Sequence, residues 1–253
     1  MSPGLRILRP TVFVALLIAL WQIGVRRATT HIIPGPWTVL LGMIELWRKG
    51  LLLRYVIASL FRVTWGFLMA LVTAVPFGLF AGWHRRTRMA FNPLIQIFRP
   101  ISPLAWIPIA ILWFGVGDVS ATFLIFLASF LPLTVSAMNA VQSIDPIQLN
   151  AARNFGLSRS QVIYRVLCPA VMPQLIVGLR ITLGVSWLVV VAAEMIAVNS
   201  GLGFLIIDAR NAGNRYDLVI AAMVLIGVIG LLLDIGMREL ETLPSVRWGF
   251  RDN

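Results

Sequence analysis

Residues 150–173 read NAARNFGLSRSQVIYRVLCPAVMP, a basic run with a glycine break between two very apolar parts of the chain. Its arginines, Arg153, Arg159 and Arg165, mark it as facing water. Just upstream, Asp145-Pro146 pairs an acceptor side chain at a helix N-cap with proline at the first helical position. The helix winds to Gly156, where the left-handed conformation that stops a helix costs little. Ser158 and Gln161 are spaced for a capping box that starts a second helix. On it Val162, Ile163, Val166 and Leu167 share one face. Two short helices at an angle are expected, with Ala151 and Ala152 offering a small, smooth surface to a partner.

Outward from this run the chain is made for lipid. Of 253 residues 59% are hydrophobic and 12% charged, with a mean hydropathy of +0.89, well above soluble domains. About 20 apolar residues cross a bilayer as a helix, and six segments approach that: residues 11–25, 63–83, 93–114, 119–141, 173–198 and 218–233. The first resembles a signal peptide in length, but the RRATTHIIPGP after it offers charge where a cleavage site needs small residues. The third carries Arg99, Pro100, Pro103 and Pro108, a proline density tolerated only where neighbouring helices satisfy the freed carbonyls. Residues 26–55 are too polar to cross. There Val39, Leu40, Met43, Leu46 and Trp47 recur at helical spacing, as in an amphipathic helix lying on a membrane surface. Residues 202–209 form a similar piece. No polar or low-complexity linker divides the chain, so residues 1–253 read as one all-α, polytopic domain of about six transmembrane helices.

Six spans put both termini on one side. The 21 basic residues against 10 acidic ones would suit nucleic acid in a soluble chain; here they suit cytoplasmic flanks. With a cytoplasmic N-terminus, that side holds eleven arginines and the other side seven bases, while Arg62, Arg99 and Arg180 fall at membrane depth. Short loops agree: WHRRTR at residues 83–88 is basic and the facing turn GVGDVS is not. Residues 145–168 are then cytoplasmic. A helix-turn-helix reader of DNA does not fit a segment pinned to the membrane on both flanks without an outward basic recognition helix. The residues leave open a loop whose arginines only hold topology and a docking element for a cytoplasmic partner.

Asn150-Ala151-Ala152, three residues, Gly156, nine residues and Val166-Leu167-Cys168-Pro169 resemble the EAA loop of ATP-binding-cassette importer permeases. That pattern is Glu-Ala-Ala, three residues, Gly, nine residues, Ile-x-Leu-Pro. The spacing matches, and Asn150 and Cys168 replace the family's Glu and Leu. IIPGPWTVL, SLFRVTWGF, IQIFRPISPLAWIPIAILWFGVGD, PAVMPQLIVGLRITLGVSWLVVVAAEM and NSGLGFLIIDARN look like the nitrate/sulfonate/taurine/bicarbonate branch, so the resemblance covers nearly the whole chain.

The resemblance implies the type I importer permease fold and import of a small anion through a bacterial inner-membrane homodimer. Its implied partners are two cytoplasmic ATPase subunits, which carry the ATP and Mg²⁺, and an extracytoplasmic binding protein. It makes Asn150, Ala151, Ala152, Arg153, Gly156 and Arg159 the coupling residues. The chain has no G-x-x-x-x-G-K-[ST] phosphate loop, and its lone lysine, Lys49, lies in LWRKG. It is thus expected to be no enzyme itself. Cys168 is alone and His31 and His84 stand apart from any carboxylate cluster, so no metal ligand set is expected.

Within the spans, ionisable residues point to function. Arg180, Gly184, Trp187, Val191 and Glu194 lie in one helical stripe, with Arg180 and Glu194 roughly 21 Å apart along the axis. Two readings stay open. In one the stripe lines the translocation path together with Arg99; in the other Arg180 sits at the cytoplasmic interface on a carbonyl or phosphate. The functional alternative is a secondary transporter or channel without an ATPase, which calls for internal repeats and paired midplane carboxylates. Neither is evident in the sequence.

Overall fold

The computed structural model describes residues 3–27 and 33–242. The chain ends, with Arg247, Arg251 and the expected placement of both termini, lie outside the described residues, as does His31. All regular structure among the described residues is helical. Helix α1 (Pro3–Arg27) contains the first expected span and makes few contacts, with α2 (Pro36–Arg48). The latter is the expected amphipathic helix, but Val39 and Leu46 are buried and Gly42 lies against Leu218 of α11 (Tyr216–Glu241). One face of it thus packs on a neighbouring helix, while Trp37, Leu40, Leu41, Ile44 and Trp47 stay exposed. Gly50, at φ +68, turns the chain into α3 (Leu51–Trp83). At 33 residues and about 1.5 Å each, α3 starts twelve residues before the expected span, and Arg62 lies on it.

The third expected span is broken. Helix α4 (Arg85–Phe98) stops at Arg99, and the chain bends by 81° into a 3₁₀ turn (Pro103–Trp106) and α5 (Ile107–Phe114). Proline explains where it restarts: Pro103 is the first residue of one piece and Pro108 the second of the other, within the turn where no intrahelical N–H is needed. Helix α6 (Asp118–Gln142) follows the fourth expectation. The loop helices are α7 (Pro146–Asn154) and α8 (Arg159–Val162), and α8 is no separate helix. It runs through one π turn (Ile163–Leu167) into α9 (Cys168–Ala197), a helical stretch of 39 residues. Pro169 lacks the N–H that would bond the Arg165 carbonyl, and the wider turn absorbs the gap: the Cys168 N–H reaches back five residues to Ile163. Helix α10 (Leu202–Asn211) and α11 complete the chain. By length and composition α3, α6, the 159–197 helix and α11 can each cross a membrane, and the bent α4–α5 pair makes a fifth. Helix α1, at 25 residues, contains the first expected segment and is not among these candidates, so the described residues give four or five spans where six were expected.

Helix α6 is the centre, packed between α3 and α9. On α3, Gly66, Ala70, Ala74, Gly78 and Gly82 recur every four residues and lie on the α6 side; Ala70 and Ala74 are fully buried. A Cβ at Gly78 would stand 2.5 Å from the Thr134 carbonyl, and one at Gly82 2.8 Å from that of Met138. Small residues at this spacing let two backbones meet, the usual device where lipid supplies no hydrophobic drive between helices.

Candidate functional site

The 145–168 loop is built as its local signals require. The Asp145 carboxylate accepts from the Ile147 N–H at 2.8 Å, capping α7. At the other end Gly156 adopts φ +73, its N–H bonds to Arg153 O at 2.9 Å, and the Leu157 N–H bonds to Ala152 O at 3.2 Å. These two bonds satisfy carbonyls that a helix end would leave unpaired. Ser158 and Gln161 form the reciprocal capping box. Asn150, Ala151, Arg153, Gly156 and Arg159 are exposed, whereas Ala152 is buried at 6% exposure, so the outward surface expected of Ala152 is absent. Leu149, one turn back, shares the inner face of α7 with it and packs on the Ile144–Leu167–Val171 cluster. The loop instead shows water large side chains that sequence reasoning missed: Ile147, Tyr164 and Phe155, the last 84% exposed. Apolar residues outside the inward face of a charged hairpin were the available signal.

A groove of about 500 Å³ opens between the α4–α5 break, α6 and α9. Arg99 lines it from the break, Ser136 and Asn139 from α6, and Gln174 and Thr182 from α9. Steps of four, three and four residues put Gln174, Gly178, Ile181 and Val185 on this face of α9. Arg99 is exposed, with no carboxylate or side-chain hydrogen-bond partner among the described residues.

The other expected path residues do not face this groove. Arg180 donates from Nε and Nη2 to the two Asp234 oxygens at 2.6 and 3.1 Å, and from Nη1 to Glu241 at 3.2 Å, all on α11. Gly184 borders a crevice of about 70 Å³ between Arg180 and Trp187. Trp187 is buried, and its Nε1 donates to Ile226 O of α11 at 3.0 Å. Glu194 is sealed at 0% exposure, 2.6 Å from Arg62 of α3. The four share one stripe, but it turns toward α3, α10 and α11. Helical spacing fixes which residues share a face and not what that face meets.

At the opposite end of the bundle, Arg215 ties α2 to α11. It reaches Glu45 at 2.6 Å and Asp217 at 2.8 Å, while Lys49 holds Glu45 at 2.6 Å. Hydrogen bonds from Arg215 and then Lys49 hold the Glu45 carboxyl down at about 2. Those that Arg215 donates to Asp217 and Glu45 push its own guanidinium up.

Comparison with known proteins agrees with this architecture. Residues 74–242 match the family described as binding-protein-dependent transport system inner membrane component. The chain is 34% identical over 234 residues to the taurine transport system permease protein TauC of Escherichia coli, covering 89% of this chain and 84% of that one. It is 35% identical over 248 residues to the nitrate import permease protein NrtB of Synechocystis, covering 94% and 89%. Among solved structures, an inward-facing form of the MetNI methionine ABC transporter superposes with a TM-score of 0.66 at 20% identity, over 76% of this chain and 95% of that one. The fold is thus the type I importer permease fold, and the chain belongs to the family of binding-protein-dependent transport inner-membrane components.

Proposed function

We propose that the chain is the permease of an ATP-driven importer of a small anion, works as a homodimer in a bacterial inner membrane with both termini cytoplasmic, and receives its cargo from an extracytoplasmic binding protein. The observation that carries the cargo class is Arg99. Of the three membrane-depth arginines, Arg62 and Arg180 are matched by carboxylates, whereas Arg99 lines a groove with no carboxylate partner among the described residues. An arginine there costs about 2.5–3.5 kcal/mol on insertion scales, a cost relieved by water in the groove or by an anion beside the guanidinium. The anion permeases among its relatives support the same cargo class.

Drive comes through the α7–α8 loop. Its rigid caps suit a lever, and Ile147, Phe155 and Tyr164 are the apolar anchors that interfaces use. Asn150, Ala151, Arg153, Gly156 and Arg159 dock beside them on a separate ATPase, one per permease copy, which binds the ATP and Mg²⁺. ATP closure of the two ATPases then swings the permeases between inward- and outward-facing states. The test is uptake into proteoliposomes holding this chain with its ATPase and binding protein, using labelled nitrate, bicarbonate, taurine and an aromatic carboxylate. The reading expects one of these anions to enter and uptake to vanish without ATP. Uptake that persists without ATP, or follows a proton gradient, overturns it.

A further inference from the structure

The groove beside Arg99 changes character along its length. Three contacts fix how α6 and α9 run antiparallel past each other. Ser143 Oγ donates to the Gln174 side-chain oxygen, the Ser136 hydroxyl fills the space that a Cβ at Gly178 would need, and the Ser129 and Ser186 hydroxyls meet at 2.7 Å. In that register Ser136, Asn139 and Gln174 line the end toward the 145–168 loop, whereas Leu127, Leu131 and Val185 line the far end. Asn139 and Leu127 are about 18 Å apart along α6 at about 1.5 Å per residue. Arg99 stands between the two ends: α4 starts beside Trp83, which packs on the Ile144–Leu167–Val171 cluster, and Ile95, one turn before Arg99, packs on Met138.

The two ends offer different chemistry. Asn139 and Gln174 are exposed, and their amide N–H groups meet no acceptor among the described residues. At the far end the wall is aliphatic, with Ile181, 65% exposed, and Val185 of α9 beside Leu127 and Leu131 of α6. No carboxylate lines the groove among the described residues, and a second copy on a two-fold axis presents the same residues. Nitrate or bicarbonate is hydrated on every side, and an aliphatic wall returns nothing for the water it strips. A zwitterion such as taurine brings an ammonium that meets Arg99 and no carboxylate. An organic anion with an apolar body suits both ends, its charge on the guanidinium and its body released from water against the aliphatic wall. The volume of about 500 Å³ is also that of sites for organic ligands, about 300–1,000 Å³.

We propose that the groove takes an amphipathic organic monoanion, a carboxylate or sulfonate with an alkyl or aromatic body and no ammonium group. Arg99 holds the head, and Leu127, Leu131, Ile181 and Val185 form the seat of the body. The amides of Asn139 and Gln174 give the head its next donors toward the loop. Of the anions named for the uptake assay, this selects the aromatic carboxylate. It rests on the importer reading above, because the groove meets cargo only if the chain carries one.

The test is calorimetric binding of unbranched alkanesulfonates, from methanesulfonate to hexanesulfonate, to the purified complex of this chain with its ATPase, without binding protein or ATP. Kd should fall about fourfold per added methylene, the gain from burying one such group. Ile181→Asn, a change at an exposed groove position that spares the core, should flatten that slope. Arg99→Gln should weaken every sulfonate about tenfold, as loss of a charge-assisted contact does, and keep the slope. Nitrate and taurine in large excess should not displace hexanesulfonate. Absence of sulfonate binding, affinity independent of chain length, displacement by nitrate or taurine, or a slope unchanged by Ile181→Asn overturns the proposal. ATP-driven uptake of nitrate or bicarbonate by a complex that binds no sulfonate keeps the importer reading and overturns only this cargo class. Uptake that ignores ATP overturns the importer reading, and the chain-length slope still decides what the groove binds.

Discussion

Three arginines at membrane depth have three surroundings, and surroundings decide what each can do. Arg62 is locked into a buried cluster, Arg180 is forked onto Asp234, and Arg99 lines the groove without a carboxylate among the described residues. Sequence placed all three in the membrane but could not tell them apart, because their partners lie far along the chain: 132 residues separate Arg62 from Glu194 and 54 separate Arg180 from Asp234. Insertion cost flags a charge; only tertiary contact says whether it is neutralised. Arg180→Gln should therefore lower the melting temperature of the purified complex by freeing α11 from α9, while the preference among anions stays as in wild type. A changed anion preference with an unchanged melting temperature would place Arg180 on the path after all.

At the level of elements, legibility followed the range of the interaction. The caps of α7 and α8 depend on residues two to five apart and were readable in Asp145, Gly156, Ser158 and Gln161. The break after Arg99 was not, since prolines in a span signal either a tolerated kink or an ended helix, and packing chooses. The burial of Ala152 was missed because it depends on the hairpin folding back. Gly156→Leu forces a β-carbon into the left-handed region, and Phe155→Ala removes the largest exposed apolar side chain of the loop. Both should leave the spans folded and lower anion uptake more than ATP hydrolysis; normal uptake in both would remove the loop from coupling. Helix α3 carries the complementary prediction. Gly78→Val drives side-chain atoms into the Thr134 carbonyl and should destabilise the α3–α6 pair by about 1–3 kcal/mol, as overpacking does, read as reduced resistance to detergent or heat. The pH dependence of α2 follows from Glu45. Its carboxyl is held at about 2 against an ordinary 4.5, so its contribution is complete above about 4.5 and lost as pH falls toward 2. Hydrogen exchange of residues 36–48 should quicken across that window, and Arg215→Gln should flatten the dependence; a flat wild-type profile would contradict the pairing.

At the scale of the molecule, α6 holds the α3 and α9 faces together, and the two ends of the chain's machinery hang from that centre. One end is the capped α7–α8 hairpin; the other is the buried Arg62–Glu194 cluster. Between them the groove carries Arg99, which has no carboxylate partner among the described residues, and an anion is therefore the cargo proposed. The most direct test is ATP-driven uptake by Arg99→Gln beside wild type in the same proteoliposomes, with assembly checked by co-purification of the ATPase. The expected result is an assembled Arg99→Gln complex that hydrolyses ATP but imports the anion at least about tenfold more slowly, the loss of one charge-assisted contact worth about 1.5–3 kcal/mol. Uptake at the wild-type rate would contradict the claim that the cargo passes this groove as an anion.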